Sequence, residues 1–179
     1  AAGTGLQEFT SQIHNAGQGI RHAIGTGSHD LSDAIGGLTT LTALQALEHD
    51  PDTHVIVIIS KPPGHRTLKA LIERIHRVEK PVVGCFLGVK DELDAQGADF
   101  TQTATIDEAV QATLVKLKAS DARQPEATDE LIQKAREVSS LFSADQRFLR
   151  GIFAGGTFCY QAQQILQKAG VKVYSNAPL

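Results

Sequence analysis

The chain alternates short, continuously apolar runs with longer segments whose apolar residues recur every three or four positions. Runs of the first kind are typical of parallel strands covered on both faces, and the recurring pattern predicts amphipathic helices. The clearest strands are predicted at residues 54–59 and 81–87, with weaker ones at residues 20–24, 100–103, 151–154 and 171–174. Helices are predicted at residues 6–16, 39–49, 68–78, 106–117, 128–141 and 158–169. This alternation, with short connections, predicts an α/β fold with a parallel sheet.

A polar stretch divides the chain into two parts. Residues 119–127 contain Pro125 and lack apolar periodicity, which indicates a linker. We interpret residues 1–118 as one α/β domain and residues 128–179 as the truncated start of a second. A glycine turn such as Gly3-Thr4-Gly5 normally follows a strand, so we expect a strand upstream of residue 1. Both ends of the chain are interpreted as interior points of a longer polypeptide.

Composition excludes several classes of function. Apolar residues make up 41% of the chain and the net charge is −3, so a folded core is expected and a nucleic-acid partner that needs a basic face is not. The longest aliphatic run, residues 55–59, is too short to cross a membrane. The two cysteines cannot form a disulfide framework, which indicates a cytoplasmic protein. The histidines have no metal-ligand spacing, so no metal site is expected.

Two helix starts carry the strongest chemical signal. The first N–H groups of a helix have no internal partner and lie at the positive end of its dipole. Glycine lets a ligand approach this backbone, and threonine adds a hydroxyl donor, so such starts suit a phosphate or carboxylate. The alternative is that these glycines only make tight turns. The candidate residues for anion binding are Gly3, Thr4 and Gly5 at one start and Gly155, Gly156 and Thr157 at the other.

Lys61 follows the clearest strand, at the carboxyl end where ligands bind in open α/β sheets. The two prolines after it stiffen its backbone, and its ammonium could pair with the same anion. An ordinary solvated lysine on a rigid turn is the alternative.

A second glycine turn could also line the site. His22 and His29 flank Gly25, Thr26 and Gly27, and they are the histidines best placed for a role there. The acidic residues of the following loop, Asp30 and Asp33, could assist or could be only solvated. Cys159 lies in the first turn of a helix, which lowers a thiol pKa, but no base for a nucleophile is identifiable and a structural role is the alternative. No catalytic residue is assigned.

Several of these segments, taken in order, resemble the ligase domain of the succinyl-CoA synthetase alpha subunit. They are residues 3–5, 24–27, 46–53, 55–59 and 80–84, within a matching span of residues 1–118. Residues 153–157 resemble the start of the corresponding beta-subunit domain. The combination on one chain is similar to FdrA-like proteins, described as acyl-CoA synthetases, and residues 19–25 and 60–63 are closer to that type. The resemblance implies a flavodoxin-like sheet.

In the synthetases, two helices aim their N-termini at one phosphate carried on a phosphohistidine. The resemblance implies that the same helices begin here at residues 3–5 and 155–157. Two features depart from the family. Residues 88–98, which match the histidine loop, contain no histidine, and Lys61 stands where the family has the glutamate that supports the phosphohistidine. CoA and nucleotide are implied only by the resemblance, with their domains outside this chain.

Three functions therefore stay open. The first is an acyl-CoA-synthetase-like ligase that handles phosphate or an acyl phosphate without the phosphohistidine. The second is a subunit of an oxamate carbamoyltransferase in allantoin breakdown, an activity linked to FdrA-like proteins, with carbamoyl phosphate as substrate. The third is a non-catalytic assembly subunit. The expected partners are a small anionic substrate and further subunits, either copies of this chain or others.

Overall fold

The computed structural model describes residues 3–89, 91–95, 97–119 and 129–177. Six helices and three strands lie in these ranges. In chain order they are α1 (Gly3–Asn15), α2 (Leu38–His49), β1 (Ile56–Ser60), α3 (His65–Ile75), β2 (Val82–Phe86), β3 (Phe100–Thr103), α4 (Ile106–Lys116), α5 (Asp129–Ser140) and α6 (Gly156–Lys168).

The strands form one parallel sheet in the order β1-β2-β3. Ile56 lies opposite Val82, and Val82 lies opposite Phe100. Each connection between neighbouring strands passes through a helix or a loop on one side of the sheet, as a parallel arrangement requires. The predicted α/β class is confirmed, and the parallel sheet with its flanking helices is consistent with a flavodoxin-like fold.

The sheet buries apolar side chains on both faces. Along β1, Ile59 packs with Phe9 of α1 and with residues of α4, whereas Ile56 and Ile58 pack with residues of α2 and α3. All five residues of β2 are buried. A strand covered on both faces has no face exposed to solvent, so no position along it favours a polar side chain. This explains why β1 and β2 are almost continuously apolar in the sequence.

The loop between residues 29 and 37 caps the first turns of two helices. The Asp30 carboxylate accepts hydrogen bonds from the Thr39 and Thr40 N–H groups in the first turn of α2, each at 2.9 Å. The Asp33 carboxylate accepts one from the Thr67 N–H group in the first turn of α3, also at 2.9 Å. The residues that directly precede these helices are glycines without a capping side chain. The two aspartates are therefore helix caps supplied from a distance rather than merely solvated groups.

Hydrogen bonds outweigh burial at both caps. Burial raises the pKa of the Asp30 carboxyl, but the hydrogen bonds from Thr40 and Thr39 hold that pKa below its ordinary value. The hydrogen bond from the Thr67 backbone is the largest cause of the lowered pKa of Asp33, and it is opposed by partial burial. Both carboxyl groups are thus bound as anions in the folded protein.

Some sequence predictions need correction. Residues 20–24, 151–154 and 171–174 are not strands, because none of these segments pairs with a strand in the part of the chain that the structure describes. Helix α1 begins at Gly3, three residues before the predicted start, so the glycine turn forms its first helical turn. The capping box of Thr105 and Glu108 is confirmed.

The second part of the chain contains α5 and α6. Nothing in α5 is buried, whereas α6 packs against α1. The predicted linker, residues 119–127, lies almost wholly outside the described residues, and the division into two domains stays a prediction. No helix among the described ranges combines the length and the apolar character needed to cross a membrane.

Candidate functional site

The starts of α1 and α6 meet in space. A Cβ atom added at Gly155, the residue before α6, would lie 2.8 Å from Cγ2 of Thr4. A Cβ atom added at Gly5 would lie 3.0 Å from Cγ2 of Thr157, which is 1% exposed. Side chains at either glycine would push the two helix starts apart, so the small residues are what allow this close approach.

Gly155 also needs its freedom of backbone conformation. Its φ angle is +103°, in a region that residues with a Cβ atom rarely adopt. The backbone turns here from the extended segment into α6. Gly155 supplies no side-chain cap to α6, and within the described ranges the first turn of that helix is open to a ligand.

Lys61 lies at the same place. It follows the last residue of β1, and a Cβ atom added at Gly156 would lie 2.6 Å from its Nζ atom. The ammonium is 5.1 Å from the centre of the Tyr160 ring, a cation–π contact that holds it near the first turn of α6. Among the described residues, no carboxylate lies within 4.0 Å of this ammonium.

This placement differs from the starts of three other helices. The first turns of α2 and α3 are capped by the carboxylates of Asp30 and Asp33. Helix α4 begins with the capping box of Thr105 and Glu108. Helix α6 instead receives a cation at its positive end. An ammonium and a helix N-terminus repel each other, and a bound anion would convert both into favourable partners.

The loop after β2 borders the site. A Cβ atom added at Gly88 would lie 3.1 Å from Cγ of Pro62 and 3.2 Å from the side-chain nitrogen of Gln164 in α6. The stiff turn after Lys61 therefore packs against Gly88, the first residue of the segment of residues 88–98. Lys90 and Gln96 of this segment lie outside the described residues.

Gln161 joins α6 to the rest of the fold. Its side-chain oxygen accepts a hydrogen bond from the Ile106 N–H group at 3.0 Å, and its amide nitrogen donates to Asp107 at 3.4 Å. Asp107 also accepts from Gln12 of α1 at 2.9 Å. These contacts connect the first turn of α4 with α1 and α6. The sequence gives no signal for them, because the three segments are far apart along the chain.

The second glycine turn does not join this site. The Nε2 atom of His22 lies 3.3 Å from the carboxylate of Asp50, which precedes β1, whereas Lys61 follows β1. His22 is thus at the opposite end of that strand. Thr26 accepts a hydrogen bond from Thr40 at the start of α2, at 3.2 Å.

The rest of that turn also stands apart from the anion site. Gly25, Gly27 and His29 are exposed, and a Cβ atom added at either glycine would meet nothing within 4 Å. The structure therefore brings Thr4 and Gly5 together with Gly155 and Thr157, with Lys61 against Gly156, and it leaves the histidine-flanked turn elsewhere. A Cβ atom added at Gly3 would meet nothing within 4 Å.

Cys159 has no base beside it in the described residues. Its Sγ atom lies 3.4 Å from the hydroxyl of Ser175 and 3.4 Å from the amide nitrogen of Gln163. Gln163 is 5% exposed and also donates to the Ala177 carbonyl at 2.8 Å. These contacts attach residues 175–177 to α6, which fits the structural alternative for this cysteine. Within the described ranges, no group of three or more histidine, cysteine or acidic residues could hold a metal ion.

The chain is similar to a longer protein. It is 37% identical over 178 residues to "Uncharacterized protein YahF" of Escherichia coli (strain K12). The match covers 98% of this chain and 34% of that relative. No family model matches the chain. The chain therefore spans about a third of the length of this curated relative.

Proposed function

We propose that this chain binds phosphate, or the phosphate of an acyl phosphate, between the starts of α1 and α6. In this proposal the protein is an FdrA-type member of the succinyl-CoA synthetase superfamily and an acyl-CoA-synthetase-like ligase. The observation that carries the proposal is the position of the Lys61 ammonium against Gly156, with no carboxylate of the described residues to neutralise it.

The physical argument concerns charge. The first N–H groups of α6 and the ammonium of Lys61 present positive charge to one small region. Thr4 contributes a hydroxyl beside Gly155. A tetrahedral oxyanion could accept hydrogen bonds from all of these donors at once, and charge-assisted bonds of this kind are the stronger ones in proteins.

The residues around Lys61 bind and orient rather than react. They supply one ammonium and two helix starts, which match a single phosphate group better than a whole nucleotide. CoA would supply the thiol that accepts an acyl group, and it enters only through the family resemblance, as does the nucleotide. This proposal derives no step through a phosphohistidine, because residues 88–98 contain no histidine.

A carbamoyltransferase is the second candidate, and Lys61 itself favours it. A cation at the family's glutamate position would repel an imidazolium but would bind a free carbamoyl phosphate. Transfer then needs an acceptor held near the carbonyl and donors for its developing negative charge, rather than a covalent relay. A subunit of an oxamate carbamoyltransferase would work in this way.

The third candidate is a non-catalytic assembly subunit. It predicts that neither helix start has affinity for an anion. Protection of the folded state by phosphate would count against it.

Calorimetric titration of the full-length protein separates these functions. Phosphate, carbamoyl phosphate and CoA are titrated into the natural protein, into Lys61→Glu and into the control Lys69→Glu. Lys69 is exposed on α3, so its substitution makes the same change in net charge away from the site. We expect Lys61→Glu to weaken phosphate or carbamoyl phosphate binding at least about tenfold, since a hydrogen bond to a charged group contributes about 1.5–3 kcal/mol.

Each outcome has a distinct meaning. Tight carbamoyl phosphate binding that is lost only in Lys61→Glu favours the transferase. CoA binding that does not depend on Lys61 favours acyl-CoA synthesis and refutes the anion site proposed here, if phosphate binding is also unchanged. Absence of binding by every ligand leaves the assembly subunit.

A further inference from the structure

Lys61 differs from the other partly buried lysines of the described ranges. Lys80 donates hydrogen bonds to two backbone carbonyls at the end of α2, and Lys116 pairs with a carboxylate. The Lys61 ammonium has no such oxygen partner among the described residues, and it lies 5.1 Å from the centre of the Tyr160 ring. Its hydrogen-bonding capacity is therefore available to a ligand.

The nitrogen of Lys61 lies at a defined place. The Ser60 hydroxyl donates to the Lys61 carbonyl at 2.7 Å, and the Ser60 carbonyl accepts from the Leu87 N–H group at 2.9 Å, so the backbone here is fixed to both neighbouring segments. A Cβ atom added at Gly156 would lie 2.6 Å from Nζ and 2.9 Å from Cε of Lys61. The tip of the side chain thus lies across the first residue of α6.

An acyl phosphate bound here would bring two reactive groups together. In the function proposed above, its phosphate group lies between the starts of α1 and α6 and accepts a hydrogen bond from Lys61. The carbonyl carbon of an acyl phosphate is only two bonds away from phosphorus. Reacting atoms held about 3–3.5 Å apart are close to the geometry of attack. A lysine that has lost its proton is a nucleophile for such a carbonyl.

We infer that Lys61 is a site of covalent acylation by the acyl phosphate that it binds, an inference that rests on the proposed function. The neutral amine attacks the carbonyl carbon, and a nitrogen–carbon bond forms. The bond from that carbon to the phosphate oxygen breaks, and phosphate leaves with the electron pair. The proton released by the nitrogen goes to the departing phosphate or to water. The product at Lys61 is an amide, or a urea where the donor is carbamoyl phosphate.

Acylation would close the site to further anions. The amide carries no charge, so the attraction between Lys61 and a phosphate is lost, and the added acyl group occupies space beside Gly156. Amides are stable in neutral water, so the product accumulates instead of passing its acyl group on. The reaction is therefore a modification that limits the site when acyl phosphate is abundant, and not a step of group transfer.

Lys172 provides a matched comparison within the same chain. Its ammonium lies 5.1 Å from the centre of the Tyr174 ring, the same distance as between Lys61 and Tyr160. Lys172 is exposed and follows the carboxyl end of α6, where the helix dipole repels an anion. It thus has the aromatic contact without the helix start.

Mass spectrometry of the full-length protein treated with acetyl phosphate tests the inference. Acetyl phosphate is preferred because carbamoyl phosphate releases cyanate, which reacts with lysines without being bound. We expect Lys61 to be acetylated at least about tenfold faster than Lys172 at low reagent concentration, since binding raises the effective concentration of the carbonyl. The rate at Lys61 should level off as the reagent concentration rises, whereas the rate at Lys172 should rise in proportion.

Two further treatments show whether binding causes this preference. Inorganic phosphate should slow the acetylation of Lys61 at least about tenfold by competition for the same donors, and should not affect Lys172. Acetic anhydride, which has no phosphate group, should react faster with the exposed Lys172. Acetylation of Lys61 that is no faster than that of Lys172, or that phosphate does not slow, would overturn the inference. So would a preference for Lys61 that persists with acetic anhydride.

Calorimetry separates this inference from the function on which it rests. Phosphate binding together with slow acetylation of Lys61 would refute the inference and leave the anion site in place. Absence of both phosphate binding and preferential acetylation would refute both. Protein acetylated at Lys61 should bind phosphate at least about tenfold more weakly, because a charged donor is lost. Unchanged affinity after complete acetylation would show that the modification does not close the site.

Discussion

The ammonium of Lys61 lies directly over the backbone of Gly156, so close that a Cβ atom there would be 2.6 Å from Nζ. This contact places the cation of one βα turn against the positive end of a helix that begins almost a hundred residues later. A methyl group added at Gly156 would therefore displace the ammonium while Lys61 itself stays in the chain.

Gly156→Ala should displace Lys61 and weaken phosphate binding. The φ angle of Gly156 is not in the positive range, so alanine is compatible with the backbone, and the lysine tip can swing away at little cost. We expect phosphate affinity to fall about five- to thirtyfold, about 1–2 kcal/mol, with a small change in thermal stability. The control is Gly25→Ala, where the added methyl meets nothing. Equal affinities for both variants would contradict the assigned site.

Asp30→Ala should destabilise the fold by about 1–2 kcal/mol, because the first turn of α2 loses its cap. The measurement is urea unfolding near pH 7, with Asp145→Ala, an exposed position, as the control. A loss no larger than that of the control would show that Asp30 does not act as a cap.

The contribution of Asp30 should also depend on pH. The pKa of Asp30 is below its ordinary value of 3.8 in the folded protein, so the folded state binds fewer protons than the unfolded state in this range. Its contribution is complete well above pH 3.8 and is lost as the pH falls through the lower, folded pKa. The difference in unfolding free energy between the natural protein and Asp30→Ala should therefore shrink below pH 3.8. A constant difference between pH 7 and pH 3 would exclude this linkage.

The two thiols should differ in reactivity. Cys85 is fully buried, and burial raises its pKa to about 11, whereas Cys159 is half-buried. At pH 8 a disulfide reagent should label Cys159 in the native protein and Cys85 only after unfolding. Mass spectrometry of the labelled peptides is the measurement. Labelling of Cys85 at the same rate as Cys159 would contradict the packing described here.

Gln161→Ala should loosen α6. The substitution removes the acceptor for the Ile106 N–H group and should cost about 1 kcal/mol. Exchange of α6 amides should accelerate, while exchange in α3 should not change. Gln167→Ala, a change elsewhere on the same helix, is the control, and acceleration by both variants would argue against a specific role for Gln161.

The sequence by itself determined the class of the fold and much of its interior. Short continuous apolar runs between turn residues are typical of strands covered on both faces. The stripe that includes Leu71 and Ile75 is typical of a helix that faces a core, so β1, β2 and α3 could be predicted from local pattern. The capping box before α4 is equally local, since it involves residues three positions apart.

Only the tertiary structure decided which of the candidate groups meet. Gly155 and Thr4 are far apart along the chain yet in contact, whereas the turn beside His22, much nearer to α1 in sequence, lies away from Lys61. The tertiary structure also decided that residues 20–24 are not a strand here, because a strand exists only with a hydrogen-bonded neighbour. The physical reason is the same in each case: periodicity is a property of consecutive residues, whereas close approach and pairing depend on how separate segments pack.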